Sequence, residues 1–164
     1  MNRDTPLDPG VKKSVLRLFT YGLYAVGVAR GDERNLFTAN WLTQVSFDPP
    51  LLALSVENDG HSIELIRENG VFAISIFKDG DAESAGLLGK RWKLRPDKIQ
   101  EVDYRLGVTG CPVLKEALAA VECRVMDSVP AGDSTLFVGE VIHAEMLSVG
   151  APLTMAEAGF RHAG

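Results

Sequence analysis

Residues 38–62 read Thr38-Ala39-Asn40-Trp41-Leu42-Thr43-Gln44-Val45-Ser46-Phe47-Asp48-Pro49-Pro50-Leu51-Leu52-Ala53-Leu54-Ser55-Val56-Glu57-Asn58-Asp59-Gly60-His61-Ser62. A loop of small and hydroxyl residues runs into a double proline, then an apolar strand, then a polar turn. Proline fixes its own φ and restricts the residue before it, so Asp48-Pro49-Pro50 predicts an extended entry into a strand over Leu51–Val56. Thr38, Asn40, Thr43, Gln44 and Ser46 place hydrogen-bonding side chains close together in the loop. Two readings fit them: a polar loop that caps a barrel, or a cradle of N–H groups and hydroxyls for a flat ligand with polar edges. Trp41 suits stacking on a ring or packing at a subunit interface.

Outward from this segment the pattern is mainly that of strands. Val11–Thr20 spaces its apolar residues as a short amphipathic helix, after a loose lead-in over residues 1–10. Leu23–Ala29 reads as a buried strand, and residues 30–35 as a polar turn. Asn58-Asp59-Gly60 is a turn, with Ser62 the expected N-cap of a helix over Ile63–Glu68 and Gly70 just past its end. Val71–Phe77 is a strand. Residues 81–90 look helical and end in Gly89. Residues 91–98 form a basic stretch, and Pro112–Ala120 reads as partly helical. Ala120–Asp127 is a strand, 129–133 a turn, and Thr135–Leu147 a long strand bulged near Gly139. Six or seven strands without regular crossover helices exclude a doubly wound parallel sheet. They predict a mostly β chain with short helices, antiparallel and closing as a small barrel.

The 164 residues suit one domain spanning 1–164. A net charge of −5 argues against a general nucleic-acid binder. No apolar run reaches the ~20 residues of a membrane helix, and the first residues lack the apolar core of a signal peptide, so no membrane partner and a cytoplasmic location are expected. Cys111 and Cys123 form no C-x-x-C pair and read as small apolar residues.

No G-x-S-x-G surrounds any serine, and neither a P-loop nor a G-x-G-x-x-G is present. His61, His143 and His162 sit in unrelated contexts without metal-ligand spacing, so no metal is expected. His143, within a strand, reads as a structural or interface residue. One basic cluster stands out: Lys90, Arg91, Lys93 and Arg95 lie in an acidic chain. It is either a solvated loop or a site for a phosphate. His61 and Ser62, at an expected helix N-terminus, offer a second anion-binding position. The residues alone reach a phosphorylated aromatic ligand, a description that flavin mononucleotide (FMN) meets.

These motifs are similar to those of the flavin reductase-like family, whose fold is the FMN-binding split barrel. The resemblance runs from about Leu18 to Phe160. It is carried by Thr38–Val56, the Val71–Phe77 strand, Gly110–Leu114, Val121–Val125, Gly132-Asp133-Ser134 with Val138–Val141, and Pro152-Leu153. It implies a homodimer with FMN near the subunit interface. By position, Thr38, Ala39, Asn40 and Trp41 would line the isoalloxazine edge, with Ser46 part of the same segment. Ser55 and Val56 would lie near the ribityl chain. His61 and Ser62 would approach the phosphate, assisted by Lys90 or Arg91. Asp133 and Ser134 would fall on the nicotinamide side. Many relatives carry histidine where this chain has Ser134. The implied activity is NAD(P)H:flavin reduction, hydride passing from NADH or NADPH to the flavin, alone or as the reductase of a two-component monooxygenase. The flavin carries the chemistry, so no catalytic acid, base or nucleophile is expected of the protein. The alternatives are an FMN-binding electron-transfer module without nicotinamide activity and a related barrel holding another aromatic cofactor such as haem.

Overall fold

The computed structural model describes residues 6–161. The first five residues of the expected lead-in, and His162, lie outside them. Helix α1 (Pro9–Leu16) begins earlier than its periodicity suggests. Asp8 caps it by accepting from the Val11 N–H at 2.8 Å, and Pro9 supplies a preset φ at the first turn.

Seven strands form one antiparallel sheet: β1 (Tyr24–Arg30), β2 (Glu33–Ala39), β3 (Leu42–Ser46), β4 (Leu51–Glu57), β5 (Val71–Ile76), β8 (Ala119–Ala131) and β9 (Ser134–Met146). Two shorter strands, β6 (Tyr104–Leu106) and β7 (Pro112–Leu114), pair with each other. The order in the main sheet is β2-β1-β5-β8-β9-β4-β3. Its two edge strands, β2 and β3, are therefore consecutive in sequence and joined only by Asn40 and Trp41. Six inter-strand steps of a flat sheet would separate the edges by about 29 Å. Three Cα–Cα steps from Ala39 to Leu42 span at most about 11 Å. The sheet must curl until its edges meet, yet no ladder joins β2 to β3. The expected mostly β, antiparallel architecture with short helices is thus present, as a curled sheet that stays open along one seam.

Three buried clusters form; beside the one made by Ala29, Ala73, Cys111, Val113 and Ala120, two larger ones follow from the curl. Inside it, Val26, Val28, Leu54, Phe72, Ile74 and Phe137 pack with Ile63 and Ile66 of helix α2 (His61–Asn69). Outside it, Leu23, Ala25, Leu36 and Phe77 pack under helix α3 (Ala82–Leu88), Ile99 of a 3-10 turn (Lys98–Glu101), and Leu153 and Met155 of the C-terminal segment. Each strand alternates between these layers. The bulge foreseen near Gly139 is real, but the extra residue is Met126 on the opposite strand: Val125 pairs with Gly139 and Asp127 with Val138. A Cβ at Gly139 would stand 2.6 Å from the Phe72 ring, so only glycine leaves the inner core room there.

Several expected elements are corrected. The polar turn over 30–35 shrinks to Gly31-Asp32, because Arg30 pairs with Glu33 in a two-residue hairpin. Gly31 supplies the positive φ of 57°. The hydroxyl-rich segment is no free loop: Thr38 and Ala39 end β2, and Leu42–Ser46 form β3. Residues 47–50 are a turn with a cis Asp48–Pro49 peptide, not an extended entry. Pro112–Ala120 contains strand β7 instead of helix. Strand β8 continues to Ala131, and only Gly132-Asp133 turns before Ser134. The N-cap of α2 is Gly60, in extended conformation; Ser62 lies inside the first turn and is buried.

Candidate functional site

A cavity of about 320 Å³ opens where the seam between β2 and β3 meets the N-terminus of α2 and the segment after α3. Thr38, Ala39, Asn40, Trp41, Ser55, Val56, His61, Ser62, Lys90 and Arg91 all line it. The fold thus gathers ten of the expected positions from four separate stretches of chain. Ser46 does not line it and sits at the far end of β3, paired with Leu51. Asp133 and Ser134 stand just behind its wall. Ser134 is buried and pairs with Glu57, and the Asp133 carbonyl accepts from the Asn58 N–H at 2.9 Å.

Local bonding decides what each group has left to offer. The Thr38 side chain points to the outer layer, where its hydroxyl donates to the Ala85 carbonyl at 2.6 Å. This bond ties β2 to α3. The amide of Asn40 reaches the Met155 sulfur at 3.3 Å, a weak contact that joins the seam to the C-terminal segment. The His61 Nε2 lies 2.6 Å from Glu33, and Glu33 in turn accepts from Arg30 at 2.7 Å. The Arg30 guanidinium, first, holds the Glu33 carboxyl below the usual carboxylate range. The imidazole also stacks on Trp92, ring centres 3.9 Å apart. With its ring so engaged, His61 has its backbone N–H to present at the helix end. The first turn of α2 has no side-chain cap, so its N–H groups and positive dipole end face the cavity beside Gly60.

Sequence reasoning missed three lining residues of consequence. Lys98 is 1% exposed, and its Nζ donates to the carbonyls of Leu88 and Lys90 at 2.5 and 2.6 Å. The amine fastens the end of α3 to the basic segment. Burial pushes it down from 10.5 to about 8. It was legible only as one more cation of a basic stretch. Trp92 was read within the same stretch. Asn35 is also 1% exposed; its Nδ2 donates to Ser62 Oγ at 2.8 Å, and its Oδ1 is buried without a hydrogen-bond partner. It was missed because its segment reads as a turn.

The cavity's charges are asymmetric. Lys90, Arg91, Lys93 and Lys98 line the cavity together with only two carboxylates, Glu57 and Asp59. In a chain of net charge −5 this is a local positive field suited to an anion. Phe37, Ala39 and Val56 give apolar wall, and Trp41 and Trp92 give ring faces. The set can seat a flat ring at one end and a phosphate at the other. Among the described residues no group of three or more His, Cys, Asp or Glu side chains is placed to hold a metal, and no helix is long and apolar enough to cross a membrane.

The flavin reductase like domain model matches residues 16–164, and the chain belongs to that family. An NADH-dependent flavin reductase from Rhodococcus sp is 37% identical over 142 residues, covering 82% of this chain and 78% of that protein. The solved flavin reductase component of a bacterial two-component tryptophan halogenase superposes with a TM-score of 0.82 at 31% identity, over 94% of this chain and 97% of that one. The NADH:FAD oxidoreductase of Streptomyces globisporus C-1027, solved with NAD and FAD fragments, gives 0.83 at 29% identity, over 98% and 97%. The chain spans 62%, 40% and 42% of the lengths of other curated relatives that it matches. The donor set fits a flavin nucleotide on its own chemistry: an uncapped helix end with Lys90, Arg91 and Lys93 for a phosphate, and an unpartnered buried carbonyl for a hydroxyl or N–H.

Proposed function

We propose that this chain is an NAD(P)H:flavin reductase that binds FMN in the seam cavity and reduces it with NADH or NADPH. The observation that carries the reading is the gathering of ten family positions around one cavity, with an uncapped helix N-terminus at one end. A bound flavin supplies the redox chemistry, taking hydride from the nicotinamide and passing electrons on. The protein orients and encloses. Lys90 and Arg91, with the first N–H groups of α2, hold the phosphate. Phe37, Ala39 and Val56 exclude water from one side of the ring. Trp41 limits access at the seam. Orientation of two bound partners can contribute ~7–11 kcal/mol in favourable cases, so this role needs no acid or base.

Two features support a homodimer. The apolar residues Val11, Val15 and Phe19, in and just after α1, are 50–60% exposed, and Phe47 is 91% exposed. A second copy would cover this apolar surface, and the cavity's open side gives a second copy a place to complete the site. The electrons pass on to a free flavin or to an oxygenase partner; a reductase component of a two-component tryptophan halogenase shares this fold. A cytoplasmic location accords with that role.

A second reading, an FMN-binding electron carrier without nicotinamide activity, rests on Ser134. Its side chain is 3% exposed behind Glu57, so position 134 presents no polar group to the cavity. Anaerobic addition of NADH to the FMN-loaded protein decides between them. Bleaching of the flavin band at a rate above that of free FMN is expected. A band that persists, yet bleaches with dithionite, would replace the reductase reading with the carrier.

A further inference from the structure

We infer that Asn35 is a ligand-binding residue of the cavity, its side-chain carbonyl accepting a hydrogen bond from a hydroxyl of the flavin's ribityl chain. The inference rests on the flavin reading above. Buried carbonyl oxygens in folded proteins nearly always have a donor, and leaving one without costs as much as a lost hydrogen bond. Asn35 Oδ1 is such an oxygen: the residue is 1% exposed, lines the cavity, and its oxygen has no partner. The donor end of the same amide is taken: Nδ2 donates to Ser62 Oγ at 2.8 Å.

Chemistry narrows what fills the place. A carbonyl oxygen repels a phosphate and asks for a donor. From Asn35, strand β2 (Glu33–Ala39) continues four residues, about 13 Å, to Ala39, and that far end carries the positions assigned to the ring. At the near end, Ser62 in the first turn of α2 holds the Asn35 amide, beside the anion-binding N–H groups. Asn35 therefore stands next to the phosphate end and away from the ring end. The part of a flavin nucleotide with donors at that place is the polyol. The pair also sets a polarity: Ser62 Oγ accepts from Asn35, which leaves the serine hydroxyl hydrogen for an acceptor such as phosphate oxygen.

The test is a set of Kd values by flavin fluorescence for FMN, riboflavin and lumiflavin, which lacks the ribityl chain. The unaltered protein should bind riboflavin about tenfold more tightly than lumiflavin. Asn35→Leu should weaken FMN and riboflavin by about tenfold and leave lumiflavin within twofold. Asn35→Asp keeps an acceptor in place but adds charge beside the phosphate, so it should weaken FMN far more than riboflavin. Equal losses for riboflavin and lumiflavin in Asn35→Leu, or equal affinities of the two in the unaltered protein, would overturn the assignment. Should Asn35→Leu not fold, the unaltered protein and Asn35→Asp still decide. If the unaltered protein binds no flavin at all, the functional reading fails, and this assignment with it.

Discussion

Lys98→Met is the sharpest probe of how the cavity's basic wall is held. The Lys98 Nζ donates to two carbonyls, those of Leu88 and Lys90, from a position 1% exposed. Burial lowers its folded value from 10.5 to about 8, while the unfolded chain keeps the ordinary value. Between those two values the unfolded state binds more protons than the folded state, so stability rises with pH across that window. From pH 7 to 9.5 the gain works out to about 2 kcal/mol, or roughly 4–8 °C in Tm for a chain of this size. Methionine fills the same space without a titrating group, so this rise should vanish in Lys98→Met. At pH 7 the variant loses two charge-assisted bonds, about 1.5–3 kcal/mol each, against about 3 kcal/mol recovered by not burying an ammonium. The net loss at pH 7 is therefore about 0–3 kcal/mol. FMN affinity should fall severalfold as Lys90 loses its anchor, and lumiflavin affinity should hardly change. The measurement is paired thermal melts of both proteins from pH 7 to 9.5. Parallel Tm curves would refute the reasoning, because they would mean the amine does not titrate against burial.

Gly27→Ala should cost more than about 3 kcal/mol, since a Cβ there would stand 1.9 Å from the Pro112 carbonyl oxygen of the backbone; a melt within 2 °C of the unaltered protein would contradict that packing. Glu122 is fully buried and accepts from the N–H groups of Val108 and Thr109 at 2.8 and 2.7 Å and from the Thr109 hydroxyl at 2.5 Å. Glu122→Gln turns a donor toward donors and should cost about 2–4 kcal/mol in urea unfolding, whereas Glu140→Gln, which loses an exposed pair with Arg124, should cost less than about 1. Association of FMN should slow as salt rises, because the attraction of Lys90, Arg91 and Lys93 is screened, while riboflavin should show little dependence. Stopped-flow rates between low and physiological ionic strength give the comparison, and equal salt slopes for the two flavins would remove the phosphate from this wall.

Legibility followed the hydrophobic pattern and failed where contacts between distant segments decide. Val71–Phe77 was plain because β5 sits between β1 and β8 with both faces buried, so nearly every side chain is apolar. Strand β2 was missed: it opens Glu33-Arg34-Asn35 and ends in the small, hydroxyl-bearing Thr38-Ala39. Those residues read as turn and loop by propensity, and pairing with β1 overrides it. Strand β7 was hidden by its proline, which fits because a two-stranded ladder leaves an edge and because Gly27 admits the Pro112 carbonyl. Positions that line the cavity on β2, β4 and the end of α2 were picked out through family motifs. Asn35 and Lys98 were not, because a lone polar residue in a strand and a lysine in a basic run reveal nothing of burial. Only the fold shows that one is left unpartnered and the other clamps two carbonyls.

The position of the site follows from the topology itself. A sheet of this order brings β2 and β3 together by covalent connection, yet no ladder joins them. Something other than a ladder has to occupy the seam. The uncapped end of α2 and the segment after α3 come in from either side, each with donors to spare and few acceptors. Thr38 and His61 are held by Ala85 and Glu33 and so shape the walls. What remains along the gap is backbone, cations that outnumber the carboxylates of Glu57 and Asp59, apolar surface and one carbonyl without a donor. That inventory is poor in groups that move protons and rich in groups that hold a charged ring system still. On the proposed reading, a chain built this way would complete its seam by binding a flavin and would leave the electron chemistry to it.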